Sequence, residues 1–214
     1  MDPERQLALA YVPAARRAAM EALWRLDVAM GSVLATGSDP MISRIRLAWW
    51  REALEKLDHT RPPAEPVLEA VAEHVLPAGV SGAELAAMEE GWEALLSPAP
   101  LGSDALDLHA RARGANLFEY SARLLGNGKS DMAGAGEIWA LVDLARRVGS
   151  EEEMVAALAA ARAKAVPTGW PASLRPIGML AMLARRDAER GLPLPRQGSP
   201  GRVARMLSHR LTGR

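Results

Sequence analysis

Cysteine is absent from the 214 residues, which excludes disulfides, thiolate metal sites and cysteine nucleophiles. Lysine is scarce, confined to Lys56, Lys129 and Lys164. The excess of arginine and alanine fits GC-rich coding, and a bacterial source is the expectation. Aromatics are limited to six Trp, two Tyr and one Phe. Net charge of one sign is also missing: 26 basic residues balance 26 acidic ones, so no global field draws the chain toward nucleic acid or a membrane. No run approaches the ~18 apolar residues that a spanning helix needs. The N-terminal MDPERQLALAYVP carries acidic residues where a signal or transit peptide would be basic. The expected location is cytoplasmic.

Period-two alternation is missing as well, so no strands are expected. There is no GxxxxGK[ST] loop and no GxGxxG after a strand. Gly134 and Gly136 open a helix with no strand before them. His59, His74, His109 and His209 have no partner at i+4, which excludes a zinc site of the HExxH kind.

What remains reads as helix almost throughout. Segments are expected at 3–11, 13–35, 40–57, 66–76, 81–96, 104–125, 132–148, 150–165, 173–190 and 199–212. They are separated by breaks at Gly37-Ser38, Thr60–Pro66 (TRPPAEP), Ser97–Gly102, Gly126-Asn127-Gly128 and Pro167–Pro171 (PTGWP). Ser81 with Glu84, and Ser150 with Glu153, are capping-box patterns. The fold class expected is all-α, a single domain over 1–214 with roughly nine helices.

Arg44 to Leu57 (RIRLAWWREALEKL) reads as the stretch around which the rest is arranged. Asp39-Pro40 is a good helix start. Met41, Ile45, Ala48, Trp49, Ala53 and Leu57 recur at helical spacing, with Ile42, Trp50 and Leu54 widening the stripe. The expectation is a helix wedged between several others, anchored by Trp49 and Trp50. A pocket role for the indoles or for Arg46 is the functional reading.

Several charged groups invite chemistry, each beside a structural reading. Asp104 and Asp107 suit a helix start. Glu89, Glu90 and Glu93 suit a solvated face, and Glu151–Glu153 a first turn. Asp143 lies among apolar residues, with Arg146 and Arg147 at i+3 and i+4 for an intrahelical pair. Asp27 is similar, with Leu23, Trp24 and Leu26 near it and Arg25 beside it. Residues 185–214 hold eight arginines, Arg202, Arg205, Arg210 and Arg214 among them, against Asp187 and Glu189. The last helix sets Val203, Met206, Leu207 and Leu211 on one face, so it could touch an anionic membrane surface or an acidic partner. RNA binding rests on those arginines alone, and no nucleic-acid partner is expected.

Arg46-Leu47-Ala48-Trp49-Trp50-Arg51-Glu52-Ala53-Leu54 resembles the R-L-x-W-W-R-x-x-L segment of the squalene/phytoene synthase family. Residues 22–33, Gly91–Leu95, Leu106–Gly126 and Ala140–Val148 resemble further family segments in the right order. The resemblance implies the isoprenoid synthase fold. It also implies two Asp-rich clusters that hold Mg²⁺ and take charge off a leaving diphosphate. In this chain Gly31, Ser32 and Ala35 stand at the first cluster. Arg146, Arg147 and Ser150 or Glu151 stand at the second, which puts a cation at or near a metal seat. The chain thus resembles the non-catalytic branch of the family, which includes relatives of a complex I assembly factor.

The function implied is binding without prenyl transfer. The protein would bind an isoprenoid or lipid, or act as an assembly partner, without a cofactor or a metal. It would be cytoplasmic or peripheral to the inner membrane. The contact candidates are Asp27, Arg46, Trp49, Trp50, Asp143 and Arg147. The alternative is a divergent Mg²⁺-dependent head-to-head prenyl diphosphate synthase whose carboxylates are Asp27 and Asp143. That reading gains if both face one cavity within reach of a shared metal, and falls if each pairs with an arginine.

Overall fold

A computed structural model of the chain describes residues 1–37, 39–167 and 169–213. Ser38 of the first break, Thr168 of the PTGWP turn and Arg214 of the arginine-rich end lie outside the described residues. Ten helices and no strand are found among the described residues, against roughly nine helices expected. They are α1 Pro3–Ala10, α2 Ala14–Thr36, α3 Pro40–Lys56, α4 over 66–78, α5 over 82–96, α6 over 103–124, α7 Ala133–Ala145, α8 Glu151–Arg162, α9 Arg175–Arg190 and α10 Pro200–Thr212. No helix is long and apolar enough to cross a membrane among the described residues.

The starts follow local chemistry. Asp2 caps α1 through Glu4 and Arg5 N–H, and Asp39 caps α3 through Met41 N–H. The Ser81/Glu84 capping box forms in full. The Ser150/Glu153 box does not form: Ser150 makes no side-chain cap, and Glu153 accepts from the Leu101 N–H at 3.3 Å instead of reaching back. Helix α7 ends at Ala145, short of Gly149.

One connected core gathers buried side chains from the N-terminal helix to Met206 of α10. Its centre is α6, whose middle turns, His109–Ala115, are π-helical. Two glycine contacts clamp that segment. A Cβ at Gly91 of α5 would come within 2.6 Å of the Arg113 backbone N. On the other side Gly136 of α7 lies against the Gly114 carbonyl, with no room for a Cβ on either residue. Gly134 meets the Ala165 carbonyl in the same way. These glycines let three helix backbones approach closely, and so hold Arg113 at the middle of the bundle.

The stripe expected on α3 has the wrong phase. Ser43, Leu47, Trp50, Ala53, Leu54 and Leu57 face the core, whereas Met41, Ile42, Ile45 and Trp49 face solvent. The helix carries apolar residues on two faces, and spacing alone does not choose between them. It packs on α2 and α5 by one side only.

Candidate functional site

Asp27 on α2 and Asp143 on α7 are both buried and both point at one guanidinium. Arg113 donates from Nε to Asp27 at 2.7 Å and from Nη2 to Asp27 at 3.0 Å and to Asp143 at 2.7 Å. Arg5, from α1, reaches the same carboxylates, with Nη2 to Asp143 at 2.8 Å and Nη1 to Asp27 at 3.4 Å. Its Nε pairs with Asp2 at 2.7 Å. Arg147 closes the cluster with two bonds to Asp143, each 3.1 Å. Three aspartates therefore meet three arginines. Burial alone would push the Asp143 carboxyl up, but Arg5, Arg113 and Arg147 outweigh it and hold it well below the usual carboxylate range.

Aromatic rings wall this cluster. The Arg113 guanidinium lies 4.0 Å from the Trp92 ring centroid and 4.7 Å from that of Trp139. That of Arg5 lies 4.8 Å from Trp139. Such cation–π contacts stabilise a guanidinium that has lost its water. His109 sits one turn before Arg113. Its Nδ1 donates to the Gly91 carbonyl at 2.6 Å, and its Nε2 accepts from Arg113 Nη1 at 3.3 Å. That pairing needs the neutral ring. Burial, and then the Arg113 charge, lower its pKa to about 4.

A second buried network lies next to the first. Arg202 of α10 donates to both Glu4 oxygens, at 2.6 and 2.9 Å, and to Asp187 of α9 at 2.6 and 2.8 Å. Arg146 also goes to Asp187, at 2.6 Å. The networks adjoin at Glu4 and Arg5, so α1 is riveted to the core through two consecutive side chains. Between them is a void of about 20 Å³, room for about one water molecule.

The six sequence candidates thus separate. Asp27, Asp143 and Arg147 come together. Arg46 and Trp49 stand exposed on α3, and Trp50 is buried with its ring edge-on to Trp49, 5.2 Å between centroids. Arg25, expected beside Asp27, pairs with Glu21 instead. Arg146 leaves Asp143 for Asp187. Glu89, expected on a solvated face, is buried, and burial raises its pKa. Arg202, expected on the polar side of the last helix, is buried between Glu4 and Asp187.

Arg5, Arg113 and His109 escaped the sequence reading. Arginine is the residue least expected in a core. The faint signal was the setting of Arg113, in a run of Ala110, Ala112, Gly114 and Ala115 that leaves space for a large side chain.

The family model for squalene/phytoene synthases matches residues 1–160. The chain belongs to that family. Its all-α architecture is accordingly the isoprenoid synthase fold. No curated protein and no solved structure is significantly similar to it.

Gly31 and Ala35 of α2, with Arg147 after α7, line one pocket of about 360 Å³, together with Leu34, Trp92 and Leu144. Of the residues that the resemblance sets at the two Asp-rich clusters, Gly31, Ala35 and Arg147 line this pocket, whereas Ser32, Arg146 and Glu151 line others. The residues present do not fit Mg²⁺. A Cβ at Gly31 would come within 2.7 Å of Trp92 Cη2, so the Trp92 ring stands where a carboxylate would begin. Arg147 supplies a cation opposite. The nearby carboxylates Asp27 and Asp143 are committed to guanidinium groups. Among the described residues no group of three or more His, Asp or Glu could hold a metal ion.

Proposed function

We propose that this family member binds an isoprenoid or another lipid chain without carrying out Mg²⁺-dependent prenyl transfer. The observation that carries the reading is the Arg113 guanidinium between Asp27 and Asp143. It takes the place that a metal would need if these two carboxylates were to serve a divergent synthase. Each of these carboxylates pairs with an arginine, which counts against a divergent synthase built on them.

The pocket suits an apolar chain. At about 360 Å³ it falls in the range of small-ligand sites, ~300–1,000 Å³. Its walls carry Leu34, Leu95, Leu101, Leu144 and Trp92. Trp92 Nε1 is buried and has no hydrogen-bond partner among the described residues. Arg147, paired with Asp143 and half exposed, and Glu153 stand at its polar side.

Titration with farnesol or geranylgeraniol, followed by intrinsic tryptophan fluorescence, tests this. A saturable change is expected, because Trp92 lines the pocket. Leu34→Glu puts a carboxylate into the apolar wall and is expected to weaken binding on the order of tenfold or more. Absence of a saturable signal, or equal binding by Leu34→Glu, would overturn the pocket as the binding site.

A further inference from the structure

The face of α3 that the core leaves uncovered is apolar for about two turns. Met41, Ile42, Ile45 and Trp49 are 62%, 48%, 64% and 46% exposed. They are four of the eight large apolar side chains that stand exposed among the described residues. At 100° per residue they fall within a sector about 100° wide. Arg46 lies on one flank of that sector and Arg44 on the other, while Arg51 lies farther round, close enough to buried Glu89 to act on its charge. From Pro40 to Arg51 the helix carries these three arginines and no acidic residue. Arg44 and Arg46 have no ion pair among the described residues. The strip ends where Glu52 and Lys56 pair with each other at 3.7 Å.

The strip covers a few hundred Å², the scale of the largest apolar patch on a typical monomer, and such patches are often functional. That is below the ~800 Å² which each partner contributes to a standard protein interface. A second copy of the chain would set Arg44 and Arg46 against the same arginines, and like charges at short range repel. An anionic bilayer meets neither objection. It needs no matched surface, it takes apolar side chains at the boundary between headgroups and acyl chains, and its phosphates attract arginine.

We propose that this face of α3 docks the protein on an anionic lipid bilayer, with Met41, Ile42, Ile45 and Trp49 entering the headgroup region and Arg44 and Arg46 against lipid phosphates. The proposal rests on α3 alone. It stands whether or not the pocket binds a lipid, and the two are read out by different experiments.

Sedimentation with vesicles of phosphatidylcholine, with and without phosphatidylglycerol, tests it on the full chain. Binding is expected to the mixed vesicles, to weaken with added salt, and to be much weaker on neutral ones. Ile45→Glu and the double variant Arg44→Gln/Arg46→Gln are each expected to lower partitioning on the order of tenfold. Both change exposed side chains, so circular dichroism and thermal melting should match the parent. Brominated lipid should quench the parent more than Trp49→Phe. The proposal is overturned if anionic vesicles are not bound, or if Ile45→Glu binds like the parent. Loss of binding only in Arg186→Gln/Arg205→Gln would move the contact to the α9–α10 arginines and overturn it too. So would a self-association that Ile45→Glu abolishes in a protein that ignores vesicles, since the occupant would then be a second copy.

Discussion

Arg113→Met is expected to cost about 3–5 kcal/mol of folding stability, because it leaves two buried carboxylates that had shared one guanidinium. For a chain of this size that corresponds to a fall in melting temperature on the order of 10 °C. The loss exceeds the removal of a hydrogen bond or two. Arg5 would remain, but it already serves Asp2 and reaches Asp27 only at 3.4 Å. A signature in pH separates this mechanism from simple cavity formation. With Arg113 gone, the paired aspartates repel, and one is pushed to bind a proton at a higher pH than in the unfolded chain. A raised folded pKa stabilises at low pH and is lost as pH rises through it. The variant should therefore lose less relative to the parent at pH 5 than at pH 8. Adding Asp27→Asn and Asp143→Asn should restore part of the loss, since neutral amides remove the repulsion. Urea unfolding of the series at both pH values measures this. A loss under about 1 kcal/mol with no pH dependence would place the cluster in contact with water.

The parent should lose about 3 kcal/mol between pH 7 and pH 4 through His109 alone. Its pKa is about 4 in the folded protein, against 6.5 for a free ring. As pH falls, the unfolded chain takes up the proton first. Stability is full above pH 6.5, declines by about 1.4 kcal/mol per unit through the window, and levels off below the folded pKa. Glu89 acts in the opposite direction, because its raised pKa makes the folded protein bind a proton first as pH falls. His109→Gln keeps a donor for the Gly91 carbonyl and an acceptor for Arg113 without a titrating group. Its unfolding free energy should be flatter from pH 7 to pH 5. A slope equal to that of the parent would assign the pH dependence to other groups. Both substitutions act on one network, so their effects should not add.

The helices and most of their ends were legible because caps and breakers are local: Asp39-Pro40, the Ser81/Glu84 box and the Thr60–Pro66 linker each act within a few residues. The family was legible from the Arg46–Leu54 segment. The phase of α3 was not. Met41, Ile45 and Trp49 recur at the same period as Leu47, Trp50 and Leu54, so the period fixes a helix without fixing which stripe is covered. The ionic core was hidden for a different reason. Arg5 and Asp143 are 138 positions apart, and a buried arginine looks in sequence like a surface one. The π turns over His109–Ala115 shift the register of α6 without a sequence mark. Arg147, read as a cation at or near the second Asp position, lines the pocket, but the buried cation, Arg113, lies in Leu106–Gly126, a segment read only for its likeness to the family.

The most direct measurement is diphosphate release from farnesyl and geranylgeranyl diphosphate, in Mg²⁺ and in chelator, with the protein shown to be folded. The filled Asp27–Arg113–Asp143 centre leads us to expect no release above background in either condition. Mg²⁺-dependent release that disappears in Asp27→Asn or Asp143→Asn would show that these carboxylates still serve a metal, and would contradict the account.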